Sequence, residues 1–261
     1  SNEDLFHQDA LLKSVEGALA AIKKASSKIN LVWAVGAPLR VDCRLFNCAV
    51  VFYRGKILGI AVKSYLPNYR EYYEGRQFSP ASQALTSTIT LAGQKDIPFG
   101  PNLIFQAANH QTLRLFFEIC EDLWVPVPPS SFAAMAGATV IGNLSASNIT
   151  VGKSDYRHQL IANQSARCVA AYLYADAGFG ESTTDLAWDG HAMIYENGNP
   201  LSESERFSTS AQMITADIDL GRLAQDRMRL TTFGRNAEDY KEKIKVFRTI
   251  EFEVERPRGR I

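Results

Sequence analysis

Three residues in this chain have the types and positions that covalent amide chemistry needs: Cys120, Lys63 and Glu74. Cys120 closes the run Leu113-Arg-Leu-Phe-Phe-Glu-Ile-Cys120, which alternates like a strand, and Glu121-Asp122-Leu-Trp124 follows it. A thiolate is the best side-chain nucleophile for a carbonyl, but its ordinary pKa of about 8.5 must be lowered or a base must take the proton. Backbone N–H groups in the turn after such a cysteine can form part of an oxyanion hole. The turn also holds the thiol above a sheet edge, where ligands bind in α/β folds. A strand-end cysteine taken alone is more often buried and inert. Lys63 ends another apolar run and suits a developing oxyanion or an ionised thiol nearby. A lone lysine is usually solvated. Glu74 would orient Lys63 or a substrate amide; its plainer role is a surface pair with Arg70 or Arg76. No residue stands out as the general base.

Ser145-Ala-Ser147-Asn148 follows a buried run, so its polar groups emerge at a strand end and would hold a ligand or cap the next helix. His7, His110, His158 and His191 share no spacing, and His158 lies in a helical pattern as a structural or exposed residue. Cys43, Cys48, Cys120 and Cys168 form no Cys-x-x-Cys pair, so no metal site is expected. Unpaired thiols in a chain of 261 residues suggest a reducing, cytoplasmic setting. No phosphate loop of the Walker type occurs, and Gly178-Phe-Gly180 is too short for a nucleotide fingerprint.

These residues must be positioned by a large core, and 46% hydrophobic content with 21% charged content allows one. The 28 basic and 28 acidic residues cancel, so neither nucleic acid nor an anionic membrane is an expected partner. No apolar run approaches the roughly 18 residues that span a bilayer. Leu11, Leu12, Val15, Leu19 and Ile22 predict a helix from Asp9 to about Ser26, with Asp9 as N-cap. A buried strand is predicted at 31–36, and a hairpin over 46–53 and 57–62 with Arg54-Gly55 as its turn. Residues 65–80 read as a loop, and 89–105 as short strands around Gly93 and Gly100. The Cys120 strand leads through prolines to a short helix at 131–135, with Ser130 as its cap. Strand 138–144, helix 155–167 and strand 169–174 come next, then a polar loop at 178–185. Strands at 187–195 and 201–207 flank the turn signal Asn197-Gly198. A last strand is predicted at 213–218, and a charged helical segment from Leu220 ends Pro/Arg-rich. The order implies an α/β layered domain with mixed strand directions.

Four blocks carry a resemblance. They are Lys63-Ser-Tyr-Leu-Pro-Asn-Tyr-Arg-Glu-Tyr-Tyr-Glu74, Glu118-Ile-Cys-Glu-Asp-Leu-Trp-Val-Pro-Val-Pro-Pro-Ser130, Asn143-Leu-Ser-Ala-Ser-Asn-Ile-Thr150 and Gly180-Glu-Ser-Thr-Thr-Asp-Leu-Ala-Trp-Asp-Gly190. In this order, from Asp4 to about Phe247, the chain resembles the nitrilase superfamily. The nearer resemblance is to the glutaminase domains of glutamine-dependent NAD synthetases. It implies a four-layer α-β-β-α sandwich, lacking the family's N-terminal strand-helix-strand, over 1–247, with a linker beginning at 248–261. It also implies that Cys120 attacks the side-chain amide of glutamine, forming a glutamyl thioester. Lys63 would serve the oxyanion, and Glu74 matches an additional glutamate near that lysine. Tyr69, Glu121, Ser147 and position 153 would form the glutamine pocket; the resemblance implies arginine there, and this chain has Lys153.

The superfamily's catalytic glutamate ends a strand upstream of the block that Glu3-Asp-Leu-Phe-His-Gln-Asp9 resembles, and neither Glu3 nor Asp4 matches it. The base is therefore expected upstream, and the fragment alone is expected to be inactive. The resemblance further implies no cofactor here, and ATP with Mg²⁺ in a synthetase domain of the same polypeptide. That domain would use the ammonia to amidate nicotinic acid adenine dinucleotide. Homo-oligomers are implied as well. Two other readings remain open: a free-standing amidase or carbamoylase of the superfamily, and a catalytically silent scaffold.

Overall fold

The computed structural model describes residues 2–181 and 186–255. Helix α1, Asp9–Ser26, covers one face of the first sheet. Val15, Leu19 and Ile22 form its apolar stripe against that sheet's core. Gln8, not Asp9, occupies the cap position, and Asp9 pairs instead with Arg40 at 2.6 Å.

The first sheet has five strands: β1 Trp33–Val41, β2 Arg44–Tyr53, β3 Lys56–Val62, β4 Thr88–Leu91 and β5 Gln94–Gly100. Their order is β1-β2-β3-β5-β4. β2 is apolar on both faces because both are covered. Phe46, Cys48, Val50 and Phe52 face α1, whereas Val51 and Tyr53 face the second sheet. β1, predicted as a buried strand, is instead a half-buried edge.

The second sheet has seven strands: β6 Leu103–Ala107, β7 Arg114–Ile119, β8 Val140–Ser145, β9 Ala171–Asp176, β10 Ala192–Glu196, β11 Asn199–Glu203 and β12 Arg248–Phe252. Their order is β11-β10-β9-β8-β7-β6-β12. β7, β8 and β9 run parallel, with crossover helices α2, Pro129–Met135, and α3, Lys153–Cys168, on the outer face. The β10–β11 turn places Asn197 and Gly198 at positive φ (46° and 83°), as a tight hairpin requires. Helices α4 Leu220–Arg229, α5 Thr231–Asp239 and α6 Lys241–Ile244 complete this side. Arg227 of α4 donates to the carbonyls of Ala134, Ala138, Cys168 and Val169, tying down the ends of α2 and α3. The layers are thus helix, sheet, sheet, helices, the α-β-β-α arrangement of the nitrilase fold.

The sheets approach closely because glycine leaves room for phenylalanine. A Cβ on Gly59 of β3 would lie 2.9 Å from the ring of Phe105 of β6. Phe105 in turn packs on Phe117 of β7, with ring centroids 5.9 Å apart.

Three expectations change. Ser130 lies within the first turn of α2 and binds the buried Glu118 rather than capping the helix. Residues 213–218 form no strand, and Met213 is 88% exposed; a β-prone run without a sheet edge to pair with stays irregular. The expected linker at 248–261 begins with β12, which pairs in parallel with β6. The Arg248 guanidinium also donates to the carbonyls of Ser87 and Phe99, reaching the first sheet. Residues 182–185 of the Gly180–Gly190 block and 256–261 of the expected linker lie outside the described residues.

Candidate active site

Cys120 and Lys63 follow strands of different sheets. β7 ends at Ile119, and Cys120 turns the chain with φ of 47° into the short 3₁₀ helix Cys120–Leu123. Positive φ in a non-glycine residue is strained, and such residues cluster at functional sites. Asn143 Oδ1 accepts the Cys120 N–H at 3.1 Å, and Asn143 donates to the hydroxyl of Tyr172. Tyr172 and Ser130 both donate to Glu118, so the turn rests on a buried polar network. β3 ends at Val62, one residue before Lys63. Between the strand ends, Ala49 and Ala61 pack against Ile119 and Cys120, with Phe117 and Leu144 beside them.

Loop 65–80 folds back over the strand it leaves. Ala81 donates to the Lys63 carbonyl, and Glu74 opens a single 3₁₀ turn, Glu74–Arg76. The Glu74 carboxylate meets the Lys63 ammonium and also accepts from Asn47 Nδ2 at 2.7 Å. The Lys63 side chain is 3% exposed. Burial works against its charge, but Glu74, Cys120 and Asp122 together hold its pKa above the usual lysine value. Burial also pushes the Cys120 thiol up; Lys63 and the Ala146 N–H pull it back, and the net result is still a raised pKa. The resting thiol therefore keeps its proton at neutral pH and must lose it during attack.

Cys120 borders two cavities. The larger, about 680 Å³, reaches Lys63, Glu74, Asn47 and Asp176. The smaller, about 340 Å³, is lined by Tyr69, Glu121, Ser147 and Lys153 as well as Cys120. Lys63, Glu74, Tyr69, Glu121, Ser147 and Lys153 thus line the two cavities that the Cys120 thiol borders. Tyr69 donates to Glu121 at 2.8 Å. Burial, then the bond to Glu121, pushes the Tyr69 phenol up to about 12. Lys153 donates to Asn148 and sits over the rings of Tyr72 and Trp124, 5.7 and 5.2 Å from their centroids. Burial and then Arg157 hold its pKa below the usual lysine value.

Sequence reading missed what supports this pocket. Arg157 of α3 is 1% exposed. It donates to both Asp189 oxygens at 2.9 and 2.8 Å, to Ser147 Oγ, and to the carbonyls of Ser147 and Asn148. Asp176, at the end of β9, accepts the Ser147 N–H at 2.7 Å and lies 3.3 Å from Arg157. Burial pushes the Asp176 carboxyl up to about 7 against the pull of Arg157. A helical arginine four residues after Lys153 reads as a surface residue; the signal available was Asp189 inside the last quoted block.

His158 and His191, without shared spacing in the sequence, converge on Glu203. Both Nε2 atoms face Glu203 Oε1, at 3.1 and 2.7 Å. Arg157 faces His191 Nδ1 at 3.5 Å, and a guanidinium only donates. His191 therefore carries its proton on Nε2 and donates to Glu203. A metal-bound imidazole needs the reverse, a free Nε2 with Nδ1–H on an acceptor. The trio is satisfied as a hydrogen-bond network.

The carbon-nitrogen hydrolase family profile matches residues 2–228. The chain is 50% identical to a glutamine-dependent NAD(+) synthetase of Mycobacterium leprae over all of its 261 residues, which span 38% of that protein. It is 30% identical to the rat (Rattus norvegicus) glutamine-dependent NAD(+) synthetase over 245 residues, 90% of this chain and 33% of that one. The crystal structure of a glutamine-dependent NAD(+) synthetase from Cytophaga hutchinsonii matches with a TM-score of 0.68 at 28% identity, covering 79% of this chain and 32% of that one. A carbon-nitrogen hydrolase from Helicobacter pylori shares the fold, with a TM-score of 0.69 at 17% identity over 92% of this chain and 80% of its own. The chain therefore spans well under half the length of the synthetases it resembles.

Proposed function

This chain belongs to the carbon-nitrogen hydrolase family, and we propose that it is the glutaminase part of a glutamine-dependent NAD synthetase. One observation carries the reading: the Cys120 thiol stands between a buried Lys63–Glu74 pair and a polar pocket of amino-acid size. Half the residues being shared with a mycobacterial synthetase favours this over a free-standing amidase.

Glutamine enters the smaller cavity. Its α-carboxylate meets Lys153, and its α-amino group meets Glu121, which Tyr69 orients. Ser147 takes a further hydrogen bond from the polar end. Cys120 Sγ loses its proton to the family's glutamate, which no residue of 1–261 matches, and attacks the amide carbon. As the C–S bond forms, the carbonyl electrons move to oxygen. Lys63 and backbone N–H groups of the turn that follows Cys120 receive that oxyanion. Collapse breaks the C–N bond, and the nitrogen takes a proton and leaves as ammonia. Water then cleaves the thioester to glutamate and restores the thiol.

This chemistry asks for no cofactor among these residues. ATP and Mg²⁺ serve the proposed synthetase domain of the same polypeptide, where the ammonia amidates nicotinic acid adenine dinucleotide. The intact protein acts in the cytoplasm as a homo-oligomer. No helix among the described residues is long and apolar enough to cross a membrane. A panel of amides given to the intact protein, with ammonia as readout, tests the reading: glutamine should be preferred, and equal turnover of simple aliphatic amides would overturn it.

A further inference from the structure

We propose that Asp122 is a positioning residue whose carboxylate fixes Lys63 relative to Cys120. The proposal rests on the reading of Cys120 as nucleophile and Lys63 as its partner. Those two residues follow β7 and β3, and no backbone ladder joins these strands, which lie in different sheets. At this end the sheets touch through Ala49, Ala61, Ile119 and Cys120. Dispersion between apolar side chains has no direction and does not by itself set a register between strand ends.

Asp122 supplies direction. Its Oδ1 accepts the N–H groups of Ser64 and Tyr65, at 3.1 and 2.9 Å, and its Oδ2 accepts the N–H of Ile119 at 3.0 Å. The two amides just after Lys63 and the amide just before Cys120 thus converge on one carboxylate. Asp122 lies in the same short turn as Cys120, so thiol and carboxylate move as a unit. The residue is 2% exposed, so no bulk water replaces it, and each amide it leaves would be an unsatisfied buried donor. The partners at bonding distance are all backbone groups. A carboxylate kept for its charge would sit directly on a cation, yet the Lys63 ammonium pairs with Glu74. Burial, then Glu118, pushes the Asp122 carboxyl up to about 7, against the Ile119 and Tyr65 amides and Lys63, so its geometry is retained where its charge is costly.

The test is Asp122→Asn in the intact protein, which keeps the shape but turns one acceptor oxygen into a donor. Alkylation by iodoacetamide is followed against pH on the Cys120 peptide by mass spectrometry, so that the exposed Cys43 does not interfere. The two explanations differ in sign. Removing a negative charge alone would lower the thiol pKa, whereas displacing Lys63, which lowers it now, would raise it. The proposal predicts a rise of about one unit, roughly tenfold slower alkylation at neutral pH. It also predicts a kcat for glutamine lower by about 30-fold or more, with KM changed less than about threefold. An alkylation profile that is unchanged or shifted downward overturns it. If Asp122→Asn does not fold, Asp122→Ser, with room for a water to take the third amide, is read by the same criteria. Should the unaltered protein release no ammonia from glutamine, the glutaminase reading fails, while the alkylation profile still decides the role of Asp122.

Discussion

Lys63 and Glu74 form a buried ion pair across a loop that returns to the strand end it leaves, with Asn47 holding the second carboxylate oxygen. A charge pair this enclosed is costly to break from one side, because the remaining charge is left without a partner. Glu74→Gln keeps the shape and leaves the Lys63 ammonium uncompensated. We expect a loss of about 3 kcal/mol of stability and of roughly 100-fold in glutamine turnover. Denaturant titration and ammonia release measure the two. Unchanged turnover would remove Glu74 from the machinery.

Lys153 reaches the polar pocket between the rings of Tyr72 and Trp124. If it binds the carboxylate of glutamine, the contact is made equally in ground and transition states. Lys153→Ala should then raise KM by about 10- to 100-fold and change kcat little. Lys153→Arg should keep or improve binding through its fork. Steady-state kinetics separate these outcomes, and a fall in kcat alone would place Lys153 elsewhere in the mechanism.

The raised pKa of Asp176 sets a pH dependence of stability. Its carboxyl titrates near 3.8 in an unfolded chain and at about 7 in the fold, chiefly through burial. Between these values the folded state holds the extra proton, so this group's contribution falls as pH rises from about 4 to about 7. Asp176→Asn does not titrate. Its stability relative to the unaltered protein should therefore improve between pH 5 and pH 8 in urea titrations. A pH-independent difference would refute the assignment.

Gly59 lets the ring of Phe105 reach across the sheet interface. A methyl group there would stand 2.9 Å from a ring that is fully buried. Gly59→Ala should cost about 1–3 kcal/mol by overpacking. It should also reduce turnover, since a shift between the sheets would strain the Asp122 contacts that join the strand ends bearing Lys63 and Cys120. A variant as stable as the parent would mean that the sheets slide freely.

Periodic and turn signals were legible in the chain. The stripe of α1, the β2–β3 hairpin and the Asn197-Gly198 turn depend on local alternation and backbone chemistry, so the residues alone determine them. Six of the seven candidate site residues stand in the four blocks that carry the resemblance, and Lys153 lies three residues past the third. The strand at 248–252 was not, because its partner β6 lies more than a hundred residues away and its charged start resembles a linker. Ser130 reads as a cap by type but is claimed by Glu118, a partner only the fold supplies. Arg157 and Asp122 escaped notice for the same reason: polar side chains in helical or turn segments look solvated until the groups around them are known.

The central claim is that Cys120 carries the glutamyl group. Intact-mass measurement of the full-length protein, quenched in acid during turnover of glutamine, tests it most directly. The account predicts an adduct of one glutamyl group on the Cys120 peptide, absent from Cys120→Ala, whose ammonia release should fall by about 10³-fold or more. Turnover that persists in Cys120→Ala, or an adduct on another residue, would contradict it.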